Sequence, residues 1–411
     1  MKDKFVVGIQ SWFLMQFLDE GIEQALDNMI EYAGVNQLLL ATHIDYQSTK
    51  DWGKLTHAKA ESFDCEGFNL DVDLAYYKKT SIKPVKTKIY GLANRDLFGE
   101  ISKAAKKKGI DVFALIVHRF CEAEKYTPLN VRAVNGQVIP AVLCHSYDDV
   151  LEYYKGLADQ INDRYDLDGF AFALLDHYSL FGFQSLTDEL SDSLGIEKFS
   201  NPEMGLTCFC ENCVALAKAQ GIDVNRIQKG LLRGIELEYI PHRVEKMKTA
   251  DEALRFLLDV PEYLEWLRFR SGLQTKLHRQ LYEHIKNLSP YYQVGLDIYG
   301  AKDDWKYQTR FHDLAKYCDW IKPMFYSCTY DEPLSPIEIG EGVRLAKELS
   351  GKPIYPGINC LPSEQEEKII DGIEYSCKNK ADGVILSWDY ALMPFTHMKA
   401  AKAKLESLKR L

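Results

Sequence analysis

The chain has 411 residues, of which 46% are hydrophobic, 27% charged and 12% aromatic, a composition that supports a sizeable core and excludes a low-complexity or disordered polymer. A formal net charge of −10, from 50 Lys and Arg against 60 Asp and Glu, argues against a phosphate-tracking surface, so nucleic acid is not an expected partner. No segment has the length and apolarity of a membrane span or signal h-region, which predicts a cytoplasmic chain without a membrane partner. The ten scattered cysteines are expected to be mainly reduced thiols rather than a disulfide framework.

In chain order, Val6–Ser11 reads as a first buried strand. Behind it Ile22, Ala25, Leu26, Met29, Ile30 and Ala33 recur at helical spacing, and Gly34 closes that helix before the apolar run VNQLLLA. The same grammar of helix, Gly and apolar run returns in KKKGIDVFALIV, DLDGFAFALL and KADGVILSW. It predicts a glycine helix cap feeding a buried parallel strand. Lys106, Lys107 and Lys108 before Gly109 read as solvated cations at a helix carboxyl end. Gln293–Tyr299, Trp320–Tyr326 and Ile354–Asn359 complete eight strands separated mostly by helical pattern, which predicts an α/β fold of the (β/α)8 TIM barrel type. A doubly wound open sheet is the competing architecture, but no GxGxxG follows the first strand.

Three connections are too long for a bare barrel: about 42–94, 119–146 and 176–289, after strands 2, 3 and 4. All three fall on the face where barrel loops carry function. The second contains VRAVNGQVIPAVLC, whose Asn135-Gly136 predicts a hairpin with a type I′ turn. No Ser/Gly linker marks off a second unit, so residues 1–411 are expected to form a single barrel domain with insertions.

Residues just past barrel strands point toward the substrate mouth. Here they are Trp12, His43, Asp45, His118, Arg119, Asp176, His177, Tyr178, Asp297, Tyr299, Tyr326, Asn359, Trp388, Asp389 and Tyr390. Two carboxylates can divide the roles of proton donor and nucleophile or water activator if their environments push their pKa values apart. Asp176 and Asp297 are the candidate pair, and Asp389 is the spare. The aromatic members offer flat walls that suit sugar rings. Lys322, in DWIKPMFYS, is expected to be a paired or snorkelling charge rather than a Schiff-base lysine. Cys208, Cys210 and Cys213 form CxCxxC, three thiolates at metal-ligand spacing, which points to a structural zinc clamping the long third loop. A fourth ligand is missing locally, and Cys144 or Cys65 would have to supply it from another loop. Unligated cysteines at a helix start are the alternative.

The runs VLCHSYDDVLEYYKGLADQINDRYDLDGFAFALLDHY, GLTCFCENCVALAKAQGID, LEWLRFR, DWIKPMFY and ADGVILSWDY resemble glycoside hydrolase-like barrels of bacterial genomes, related in style to family 10 glycosylhydrolase-like proteins. The cysteine cluster is similar to the zinc-binding CxCxxC of glycoside hydrolase family 42 β-galactosidases, where an upstream cysteine completes the site. The upstream partner does not fall at that distance here. Those hydrolases also place glutamates at the ends of strands four and seven, whereas this chain has Asp176 and Asn359.

The resemblance implies a carbohydrate-directed barrel. The leading expectation is hydrolysis of a glycosidic bond in a carbohydrate or glycoside substrate, with no cofactor required for the chemistry. A metal-dependent sugar isomerase, epimerase or lyase using His43, His118 and His177, and a non-catalytic glycan-binding barrel, remain the alternatives.

Overall fold

The computed structural model describes residues 4–48, 55–57, 59–62, 64–87, 95–118, 120–173, 207–234, 236, 250–302, 304–325 and 334–411. Eight parallel strands close into a barrel: β1 (Val6–Ser11), β2 (Gln37–Ala41), β3 (Asp111–Val117), β4 (Gly169–Ala173), β5 (Gln293–Tyr299), β6 (Trp320–Phe325), β7 (Gly357–Asn359) and β8 (Gly383–Ser387). Their order around the barrel follows the chain, and β1 closes on β8 with Val6 opposite Gly383 and Ile9 opposite Leu386. The longer helices are α1 (Ile22–Ala33), α2 (Leu97–Lys107), α3 (Asp148–Arg164), α4 (Glu211–Ala219), α5 (Val224–Gly234), α6 (Ala250–Asp259), α7 (Pro261–Leu288), α8 (Pro336–Ser350), α9 (Glu366–Lys378) and α10 (Phe395–Ser407).

Strand alternation divides the core in two. Leu38, Leu40, Val112, Ala114, Ile116, Phe170 and Phe172 pack outward with the helices, while Leu39, Ala41, Phe113, Leu115, Val117, Ala171, Ala173, Trp320 and Ile385 fill the bore. Trp320 plugs the N-terminal end against Phe113 and Tyr355, with ring centroids 5.4 and 5.3 Å away. It fits because position 295 is glycine: a Cβ there would stand 2.1 Å from the indole.

Gly34 and Gly109 sit at φ 70° and 74° and close α1 and α2 as the glycine grammar predicts. Gly169 and Gly383 serve a different purpose. Each opens a strand, and a Cβ on Gly169 would lie 2.0 Å from the Gln293 carbonyl oxygen. These glycines permit close strand approach, and after α9 it is Lys380 (φ 65°) that takes the left-handed conformation.

A repeated clamp ties the N-terminal ends of the strands together. The residue before each even strand accepts the backbone N–H at the start of the preceding odd segment. Asn36 Oδ1 takes Val7 at 3.1 Å, Asp168 Oδ2 takes Val112 at 2.7 Å, Asp319 Oδ2 takes Val294 at 2.8 Å, and Asp382 Oδ2 takes Ile354 at 2.9 Å. The three aspartates each hold a lysine from the last turn of α2, α7 or α8: Lys106, Lys286 and Lys347, at 2.7, 2.7 and 2.6 Å. Lys106 and Lys108 are therefore ion-paired, the latter to Asp27 at 2.6 Å, rather than simply solvated.

Beyond the C-terminal ends of the strands the connections build added structure. After β2, His43–Ser48 pairs antiparallel with Asp64–Phe68. After β3, Asn130–Arg132 pairs with Val138–Leu143, so the second hairpin forms where expected. Its turn is not type I′, because Gly136 has φ 88° whereas Asn135 does not have positive φ. Gly136 N–H bonds back to Ala133 O at 2.9 Å, the pattern of a longer loop ended by one left-handed residue. This hairpin, α4, α5 and the first half of α7 share a second core with Tyr299 and Met324. The 28-residue α7 joins both cores: Trp266 and Phe269 lie in the second, Leu277, Leu281 and Ile285 in the barrel layer. Among the described residues no helix is long and apolar enough to cross a membrane.

Candidate active site

The upper bore ends in a layer of buried polar side chains. Gln10, Asp297, Lys322 and Ser387 come from β1, β5, β6 and β8, and none is more than 1% exposed. Lys322 Nζ donates to Asp297 Oδ1 at 2.8 Å, and Gln10 Nε2 donates to Asp297 Oδ2 at 2.7 Å. Register explains the pairing, since Lys322 lies directly opposite Asp297 on the neighbouring strand. Burial pushes the Asp297 carboxyl above its ordinary range, while Lys322 and Gln10 pull it down. Lys322 is thus the paired charge expected.

At the rim, Trp12 and Trp388 stack with centroids 5.8 Å apart and an interplanar angle of 14°, and Trp388 is partly exposed. Tyr299 lies face to face with Tyr307, centroids 3.4 Å apart. Asn359 is turned to local work: its Nδ2 donates to Glu364 at 3.1 Å and its Oδ1 accepts the Leu361 N–H at 3.1 Å.

Among the described residues, Asp389, Tyr390, His43 and His118 make the following contacts elsewhere. Asp389, the spare carboxylate, is fully buried and spent on backbone. Its Oδ2 accepts the N–H groups of Trp12 and Phe13, the latter at 3.2 Å, and its Oδ1 accepts that of Ala391 at 2.8 Å. It pins the loop after β8 to the loop after β1, which places the two tryptophans. Tyr390 turns outward, packing on Phe17 and donating its hydroxyl to Glu20 at 2.9 Å. His43 stacks on Phe68 and meets Tyr153 edge-on. His118 follows the outward alternation of β3: its ring bonds the Tyr154 hydroxyl of α3 and the Leu143 carbonyl. It also abuts His145, whose pKa burial and His118 hold well below the ordinary histidine range. Among the described residues, His43 and His118 pack against the insertions and the helix layer and form no metal-ligating group with each other. Arg119, Asp176, His177, Tyr178 and Tyr326 lie outside the described residues, as does the side chain of Asp45.

The cysteines converge. Cys144, Cys208, Cys210 and Cys213 are all buried, and their sulfurs lie within 4.8 Å of one another. Cys144 comes from the end of the second hairpin, and the other three come from the turn that starts α4. Arg270 of α7, also fully buried, donates Nη1 to Cys213 Sγ at 2.6 Å. The backbone N–H groups of Arg132 and Cys210 both point at Cys208 Sγ at 3.4 Å. Burial and the neighbouring thiols push Cys208 and Cys213 well above the ordinary thiol range. Four converging cysteine sulfurs, one cation and two amide donors fit a tetrahedral thiophilic ion, which would hold the sulfurs as thiolates. Sequence reading did not single out Arg270, although a signal was there: it falls between Trp266 and Leu273 on the apolar face of LEWLRFRSGLQTKL, where an unpaired charge does not belong. Gln10 and Ser387 carried no comparable signal, since polar residues in otherwise apolar strands announce no role.

No protein-family model matches the chain, and no curated protein matches it. Solved structures do. The glycoside hydrolase domain of PgaB (BpsB) from Bordetella bronchiseptica aligns with TM-score 0.61 and 11% identity over 98% of each chain. The catalytic domain of β-amylase from Paenibacillus polymyxa aligns with TM-score 0.55 and 11% identity over 99% of each. A β-galactosidase from Marinomonas ef1 aligns with TM-score 0.56 and 9% identity over 98% of this chain and 59% of that one. At such identities the likeness establishes the TIM-barrel fold, shared with glycoside hydrolases.

Proposed function

We propose that the protein is a carbohydrate-active enzyme that hydrolyses a glycosidic bond at the C-terminal mouth of the barrel. The observation that carries this reading is the stacked Trp12–Trp388 pair at the rim with the buried Gln10, Asp297, Lys322 and Ser387 layer below. An aromatic wall takes the C–H face of a sugar, and polar groups converging beside it take the hydroxyls. The solved glycoside hydrolases that share the fold support the same class.

In this reading Asp297 and Asp176 are the carboxylate pair. The proton affinity of Asp297, raised by burial, is what a general acid requires, and Asp176, which follows β4 in the sequence, takes the role of nucleophile or water activator in this reading. A separation of about 5 Å between the two carboxyls would make the enzyme retaining, and about 6.5–9.5 Å inverting. The cysteine centre has a structural part: a zinc ion held by Cys144, Cys208, Cys210 and Cys213 would tie the second hairpin to α4. It would bring the chemistry of a rigid cross-link, and no catalytic step passes through it.

Turnover of aryl glycosides and oligosaccharides by the wild type, Asp176→Asn and the paired variant Asp297→Asn/Lys322→Met tests the assignment. Loss of turnover in both folded variants is expected. Unchanged rates in both would sink it.

A further inference from the structure

We propose that Glu364, on the loop after β7, is a specificity-determining residue of the mouth: its carboxylate takes hydroxyls of a sugar ring stacked on Trp388 and selects an uncharged sugar over a uronic acid. The inference rests on the reading of the mouth as a sugar site and adds a residue which that reading does not use.

Register places the carboxylate. Asn359, the last residue of β7, lies opposite Ser387 of β8, and paired residues of neighbouring strands share a face. Ser387 faces the bore, where its hydroxyl reaches Gln10, so Asn359 points into the bore as well. Asn359 is only 5% exposed, and its Nδ2 donates to Glu364 Oε2 at 3.1 Å. The Glu364 carboxylate is thereby drawn back over the inner side of the strand end. Two further bonds fix the loop: Asn359 Oδ1 accepts the Leu361 N–H at 3.1 Å, and the Glu364 N–H donates to Leu361 O at 3.0 Å. Leu361 belongs to the cluster that contains Trp12 and Phe13 and against which Trp388 packs. Trp388 directly follows Ser387, so the indole and the carboxylate rise from neighbouring strands about 4.8 Å apart.

The chemistry of the pair defines the ligand. An ionised carboxylate offers about four lone-pair sites and no donor. Among the described residues Glu364 meets two hydrogen-bond donors, Asn359 Nδ2 and the Gln365 N–H, the latter 3.2 Å from Oε1. Lys368 Nζ stands 3.8 Å away on a side chain 46% exposed, too far for a hydrogen bond. The Glu364 side chain is itself 14% exposed, and it keeps acceptor capacity beside the aromatic platform. A sugar laid flat on an indole turns its hydroxyls outward along the ring edge, and two adjacent hydroxyls match the two oxygens of a carboxylate. A uronic acid would bring a second negative charge to the same place, and Lys322, the cation of the bore layer, is already committed to Asp297.

Sugar binding is read from the indole N–H resonances of Trp12 and Trp388 in full-length protein, assigned with Trp12→Phe and Trp388→Phe. Cellobiose, lactose, maltose and N-acetyl-D-glucosamine are the neutral probes, and D-glucuronate and D-galacturonate the charged ones. The wild type is expected to show saturable shifts with at least one neutral probe and none with either uronate. Glu364→Ala should weaken the neutral probe about tenfold or more. Glu364→Gln keeps an acceptor and removes the charge, so the preference for neutral sugar over uronate should fall by about the same factor. A lower melting temperature with unchanged affinity and selectivity in both variants would overturn the proposal, leaving Glu364 a loop brace and the mouth a sugar site. Failure of every probe to shift Trp12 or Trp388 in the wild type would instead remove the reading of the mouth, and this inference with it.

Discussion

Lys322 Nζ stands 2.8 Å from Asp297 Oδ1, and the two side chains are 0% and 1% exposed. Removing one partner of such a pair strands the other charge in a dry site, at a cost of about 3–5 kcal/mol. Lys322→Met and Asp297→Asn are each expected to lower the urea midpoint sharply, and Asp297→Asn/Lys322→Met to recover much of the loss. That double variant separates packing from chemistry. If it folds and still turns over substrate at the wild-type rate, Asp297 is a structural partner of Lys322 and not a catalytic acid.

Asp389 makes a prediction about pH. Burial pushes its carboxyl from 3.8 up to about 6, although the N–H groups of Trp12, Ala391 and Phe13 pull it down. The folded chain therefore binds this proton more tightly than the unfolded chain. Its contribution to stability is greatest below pH 3.8, declines as pH rises to about 6, and is level above that. The change is about 3 kcal/mol. Unfolding free energies measured between pH 4 and 7 for the wild type and Asp389→Asn should differ in slope within this window. Parallel curves would show that the carboxyl is not shifted.

The strand clamps predict a graded series. Asp168→Ala takes the acceptor from the Val112 N–H and the partner from Lys106, whereas Asp168→Asn keeps an acceptor and loses only the ion pair. A cost of about 1.5–3 kcal/mol is expected for the alanine variant and less for asparagine. Amide exchange at Val112 should accelerate in Asp168→Ala. Asn36 occupies the equivalent place before β2 without a lysine, using its Nδ2 to reach Phe5 O at 3.0 Å. Asn36→Ala should therefore show a loss that does not change with salt.

The barrel was legible because its strands are nearly continuous apolar runs; even the ends of β1 and β5 fall where the sequence places them. The site was less legible, for a reason visible in His118, Tyr390 and Asp389. Standing just after a strand does not decide whether a side chain continues inward or outward; alternation and the following turn decide it. His118 continues the outward set of β3, and Asp389 caps the turn that swings Tyr390 toward Glu20. Local pattern also stops short of contacts such as Gln10 with Asp297, 287 positions apart. The fourth cysteine was undecidable between Cys144 and Cys65 for the same reason: only the fold brings the end of the second hairpin to the start of α4.

Arg270 and the four cysteines yield the last prediction. A zinc tetrathiolate carries a net charge of about −2, and a buried guanidinium beside it lowers the cost of enclosing that charge. Purified protein is therefore expected to contain about one zinc ion per chain by elemental analysis. Stripping it with a strong chelator should lower the melting temperature and make the hairpin 130–143 accessible to protease. Cys144→Ser should reduce zinc content, although CxCxxC remains intact. Arg270→Met should release zinc to a competing chelator faster than wild type while leaving all four ligands in place. Metal-free protein of unchanged melting temperature would make the cluster an apolar packing element and Arg270 its hydrogen-bond donor alone.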